Sequence, residues 1–285
     1  MLRSAIVALD TTKASATALK LAIRFCKRQE ERHGNRIKLS GVAVVDRPTI
    51  VRAQAEPIGG SGFKRKRDEK LLREAHEKAN NILDKFRALC EKNGIHHDTI
   101  PSEGLPHQQI EAASRSHDLI IIGKDTNFQF ESGGKPGETV KHLVRDHPRP
   151  VLVFPDKEPK GNSILIAYGG SMQSAQALHM WTLMDIRRDD MDIHVVSINH
   201  RQNRADSICA EAASLLSHHD IEAKMHPIEA KKSDVFNVLM KKIKDVNPQM
   251  VVMGAFGHGG VKSKFFGTVT SKMFKACPVP LFLFK

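Results

Sequence analysis

Three glycines and a hydroxyl in the last part of the chain are spaced as an anion cradle would need them. In Met253–Thr270, MGAFGHGGVKSKFFGTVT, Gly254, Gly257 and Gly267 stand in the pattern Gly-x2-Gly-x9-Gly, and Thr268 follows directly. Without a Cβ, backbone N–H groups approach a ligand oxygen closely and φ is free to turn positive. Thr268 can cap a helix or bond a phosphate oxygen, and Lys262 and Lys264 add positive charge between the glycines. The same residues could form an ordinary turn. Position in the fold decides.

Other chemistries find less support. The chain has no GxxxxGK[ST], and no GxGxxG follows a first strand with an acidic residue about 20 positions on. No Ser/His/Asp order or nucleophile elbow can be assigned, so no catalytic residue is named. Among fifteen histidines, His96-His97-Asp98 and His218-His219-Asp220 form paired clusters. Adjacent side chains on a strand point to opposite faces, which argues against shared metal ligation. No metal site is expected.

The elements that would position the glycines occur twice. Ser4 opens SAIVALDTTKASATAL and Ser163 opens SILIAYGGSMQSAQAL. Gly137 opens GETVKHLVRDHPRPVLVF and Gly267 opens GTVTSKMFKACPVPLFLF. DLIIIG, ending at Gly123, parallels QMVVMG, ending at Gly254. Short, wholly apolar runs alternate with helical patterns in both copies, as strands of a parallel sheet covered on both faces do. The reading is α/β, with five strands per copy. One domain spans 1–155 and the other 162–285, joined by the polar linker Pro155–Asn162. In such a sheet ligands bind beyond the carboxyl ends of the strands, where strand order reverses. Gly254 ends a strand, and Gly267-Thr268 opens a helix whose free N–H groups face that edge.

Composition narrows the partners. The 285 residues carry 44 Lys+Arg against 32 Asp+Glu, a net charge of +12, which favours anionic ligands. Aromatic residues make up only 5%, which argues against stacking on single-stranded nucleic acid. The run Lys64–Arg67 reads as a solvated approach to a charged helix, with polyanion contact as the alternative. No apolar run is long enough to span a membrane. Four scattered cysteines, Cys26, Cys90, Cys209 and Cys277, read as buried thiols in a reducing cytoplasm.

The glycine spacing, the IVALD start and the repeated Pro-x-Pro ending resemble the universal stress protein family, here in tandem. The resemblance implies a flavodoxin-like or adenine nucleotide alpha hydrolase-like sheet in each copy and ATP as the ligand. It implies pairing through the last strand, hence an intramolecular pseudo-dimer, and leaves a homodimer open. It places ribose and phosphates at Gly254, Gly257, Gly267, Thr268 and Val269, and adenine against Ile198, Met253 and Ala167. The family's aspartate after the first strand corresponds to Gly169, with Tyr168 beside it as a stacking substitute. The first copy keeps Asp10, with Val44 matching Ile198. It has Thr126 for the second glycine and Glu138 where Thr268 stands, so its nucleotide motif is degenerate. The expectation is a regulatory ATP-binding protein, at most a slow ATPase, its nucleotide held by the second copy and its protein partner unspecified. A nucleotide-free adaptor and a weak polyanion binder are the alternatives.

Overall fold

The computed structural model describes residues 1–51, 61–128, 138–146, 148–255 and 268–285. The first half runs β1 (Ser4–Ala8), α1 (Lys13–His33), β2 (Lys38–Val45), α2 (Arg47–Ile50), α3 (Ser61–Lys92), β3 (His97–Glu103), α4 (Pro106–Ser114), β4 (Leu119–Gly123), α5 (Glu138–Asp146) and β5 (Val151–Phe154). The second runs β6 (Ser163–Ala167), α6 (Met172–Met184), β7 (Asp192–Asn199), α7 (Gln202–Ser217), β8 (Lys224–Glu229), α8 (Val235–Val246), β9 (Met250–Gly254), α9 (Thr268–Ala276) and β10 (Leu281–Phe284). The expected two α/β repeats are present. Lys64–Arg67, read as the approach to a helix, instead lies inside α3.

Two compact units divide the chain, Arg3–Val140 and Lys141–Lys285 with Met1–Leu2. In the first, parallel strands follow the order β3-β2-β1-β4. In the second the order is β5-β10-β9-β6-β7-β8. All its pairs are parallel except β5 on β10, where Val153 faces Leu281 and Val151 faces Leu283 in antiparallel register. All six of those apolar side chains from 151–153 and 281–283 are buried, and burying each such group contributes about 1.5–3 kcal/mol.

Local chemistry sets the element ends. Thr12 caps α1 by accepting from the Ser15 N–H, and Gly34, at φ +66°, closes it in the left-handed region. Ser171 and Ser174 form a capping box on α6. The edge strands β3 and β8 carry Pro101 and Pro227, which withhold an N–H from further pairing. All four cysteines are buried and no disulfide joins them. Burial, above all, pushes the Cys26 and Cys90 thiols up to about 12, so both are inert at neutral pH.

Candidate functional site

In the second half β6 lies between β9 and β7, and Ala167, its last residue, faces Met253 on one side and Val196 on the other. The chain continues from β6 to β7 and β8 in one direction, then crosses to β9 and β10 in the other. The carboxyl edge between β6 and β9 is therefore a switch point. Ala167, Met253 and Gly254 meet there, and Ile198 lies two residues beyond Val196 on β7. Thr268 begins α9 and is exposed, with Val269 half-buried behind it. Gly257 and Gly267 lie outside the described residues.

The two halves share a strand-to-helix turn. Leu9 N–H donates to Val42 O, and Tyr168 N–H donates to Val196 O, so Asp10 and Gly169 hold equivalent positions. Ser15 N–H donates to Thr12 Oγ1 and Ser174 N–H to Ser171 Oγ, each at 3.2 Å. Glycine at the end of the fourth strand fits against this turn. A Cβ on Gly123 would stand 2.5 Å from Ser15 N, and one on Gly254 2.6 Å from Ser174 N. Both contacts are to backbone, which cannot yield cheaply. Gly254 is thus required by packing, whatever a ligand asks of it.

The halves diverge at Asp10. Its Oδ1 accepts from Thr12 N–H (2.9 Å) and the Thr12 hydroxyl (2.6 Å), and its Oδ2 accepts from Asn127 N–H (3.0 Å) and Phe128 N–H (3.4 Å). The carboxylate clamps the segment after β4 onto the turn after β1. Phe128 is fully buried at φ +56°, a conformation costly for a bulky residue unless its surroundings hold it. In the second half Gly169 supplies no carboxylate, and among the described residues nothing lies within 4 Å of where its Cβ would be. The first half fills the space beside its turn with its own groups.

Sequence reasoning missed a group next to this edge. Asn199, His200, Arg201, Asn203 and Arg204, where β7 gives way to α7, line an open cavity of about 430 Å³. The run NHRQNR was its visible signal. It brings two guanidinium groups to the carboxyl side of β7.

Residues 162–285 match the universal stress protein family. The universal stress protein Slr1230 of Synechocystis sp. is 21% identical over 213 residues, covering 74% of this chain and 73% of that protein. The likeness to universal stress proteins is carried by the second half, 162–285, and reaches beyond it in the match to Slr1230. Two solved structures extend the likeness in fold to the whole length. A universal stress protein from Archaeoglobus fulgidus DSM 4304 aligns at TM-score 0.62 and 17% identity, covering 99% of this chain and 98% of its own. A putative universal stress protein from Pseudomonas aeruginosa UCBPP-PA14 aligns at 0.61 and 16%, covering 100% and 93%.

Several of the described histidines are engaged by the fold. His117 Nε2 lies 2.8 Å from the Ser40 hydroxyl, and its Nδ1 lies 2.9 Å from Ala113 O. Ser40 is buried near the amino end of β2, far along the strand from the carboxyl edge. His97 bonds Ile95 O and sets its ring edge-on to Phe86. On β7 and β8, His194 Nδ1 and His226 Nε2 are 2.8 Å apart with nearly parallel rings, and Lys242 Nζ on α8 is 3.4 Å from His226 Nδ1. Burial first, then the neighbouring lysines, lowers the pKa of both rings, with Asp192 opposing this at His194. The unfolded chain binds these protons more readily, so stability is full above pH about 6.5 and is lost as pH falls through the depressed folded values. The denaturant midpoint should therefore drop between pH 7 and pH 5. The drop should be smaller in His226→Gln; an unchanged drop would clear the pair of responsibility.

Proposed function

We propose that the chain is a regulatory protein of the stress response whose second half, 162–285, binds ATP at the carboxyl edge of β6, β7 and β9. The observation that carries the proposal is the switch point between β6 and β9, where Ala167 and Met253 are paired and from which the Gly254-x2-Gly257-x9-Gly267-Thr268 segment departs. Ala167, Ile198 and Met253 would offer apolar surface to adenine. The N–H groups of Gly257, Gly267, Thr268 and Val269 would meet phosphate oxygens, aided by the positive end of α9. The role is regulatory, with ATP turnover slow at most. Four buried cysteines with no disulfide fit a reducing cytoplasm.

The first half, 1–155, is proposed to bind no nucleotide, because Asp10 and Phe128 already satisfy the equivalent groups. One observation favours a nucleotide-free adaptor instead: packing alone explains Gly254. Isothermal calorimetry with ATP separates the two. The proposal expects one ATP per chain; no heat, and no nucleotide released from the purified protein on heating, would favour the adaptor.

A further inference from the structure

The first half carries a helix longer than its sheet requires. Helix α3 runs antiparallel to β3. Phe86 meets His97 at the start of the strand, ring centroids 6.0 Å apart, and His76 Nε2 lies 2.9 Å from Glu103 Oε2 at its end. The buried apolar positions of α3 are Ala75, Ala79, Leu83, Phe86 and Cys90. Gly41 on β2 leaves room for the Phe86 ring, which a Cβ there would meet at 2.7 Å. Residues 62–74 precede this stripe and bury no apolar side chain. At ~1.5 Å per residue they carry the helix about 20 Å past the end of β3.

This arm has two unlike sides. Lys64 and Asp68 turn inward, with side chains only 20% and 9% exposed and 4.0 Å apart. The other side carries Phe63, then Lys66 and Arg67 three and four positions on, Lys70 at seven and Arg73 at ten. The helical repeat stacks these residues on one face. All five are exposed, Phe63 to 84%. Asp68, off that face, accepts from Arg67, and Glu74, on it, pairs with Lys70 at 3.8 Å. Among the described residues, this leaves Lys66 and Arg73 as the outward-facing bases with no acid against them at this end of the helix.

We infer that this face attaches the protein to an anionic lipid surface. A phenyl ring left in water gains by entering the boundary between headgroups and acyl chains, and each Lys or Arg near an anionic leaflet adds roughly fivefold in affinity. The ring and the bases lie on the same side and reach one plane together. An acidic peptide would need an apolar groove beside the bases, whereas Phe63 protrudes. Single-stranded nucleic acid would need several stacking aromatics, and this face has one. Among the described residues no helix is long and apolar enough to cross a membrane, so the attachment is peripheral and salt-sensitive.

The test is co-sedimentation of the full chain with vesicles of phosphatidylcholine alone or mixed with phosphatidylserine, at low and physiological ionic strength. Binding is expected only to the phosphatidylserine vesicles, and to weaken with salt. The triple variant Lys66→Ser, Lys70→Ser, Arg73→Ser should bind about a hundredfold more weakly. Phe63→Ser should weaken binding severalfold while keeping the salt dependence. Circular dichroism of each variant checks that the helix persists, and Lys232→Ser, which removes an exposed base outside α3, serves as a folded control that leaves binding intact. Equal binding to both vesicles, no binding to either, or an unaffected triple variant would overturn the proposal. So would tighter binding to a single-stranded oligonucleotide than to the anionic vesicles.

Discussion

Gly267→Glu is expected to abolish ATP binding, weakening it by at least about a hundredfold, or roughly 2.7 kcal/mol. Gly267 directly precedes α9, whose unpaired N–H groups and dipole attract an anion. A glutamate there brings its own carboxylate to the helix start and fills the approach to Thr268. Gly137→Glu, the matching change in the first half, should leave the stoichiometry at one, because Glu138 already opens α5. Calorimetry on both variants is the check. Two nucleotides bound per chain, or binding that survives Gly267→Glu and fails with Gly137→Glu, would assign the site to the first half.

Asp10→Ala should destabilise the first half by about 3–5 kcal/mol and leave ATP binding unchanged. The carboxylate accepts three backbone N–H bonds and one hydroxyl bond, and it is only 8% exposed. Removing it strands the donors of Thr12, Asn127 and Phe128 and releases the segment that holds Phe128 at positive φ. Asp10→Asn should lie between, since its amide oxygen can serve one side of the clamp while its NH2 opposes donors on the other. Chemical denaturation measures the cost. A loss below about 1 kcal/mol would show that water replaces these bonds readily, and loss of ATP binding would show that Asp10 serves a ligand.

The strands were legible because a parallel sheet covered on both faces needs unbroken apolar runs, and Leu119–Ile122 and Val151–Phe154 are such runs. The repeat was legible because both halves keep the same turn, with Thr12 or Ser171 capping and Ser15 or Ser174 answering. The clamp was not. Asp10 reaches Asn127, 117 positions away, and nothing in local spacing announces which distant N–H a carboxylate will meet. Nor is the packing of Gly254 legible, since its tight fit against Gln173 and Ser174 exists only once α6 is folded over β9. The start of α3 escaped because four successive bases disfavour a helix in isolation. In place, Arg65–Glu69 and Lys70–Glu74 ion pairs, one turn apart, offset part of that repulsion.

The antiparallel seam between β5 and β10 has a consequence for how the chain is made. Val153 leaves the ribosome about 130 residues before the Leu281 it will face. At ~5–20 residues per second, that is roughly 7–25 s of synthesis. During that interval Val151, Leu152 and Val153 lack the strand they face across this seam. Nascent chains stalled before β10 should be the ones a holding chaperone engages, and release should coincide with the last strand's emergence.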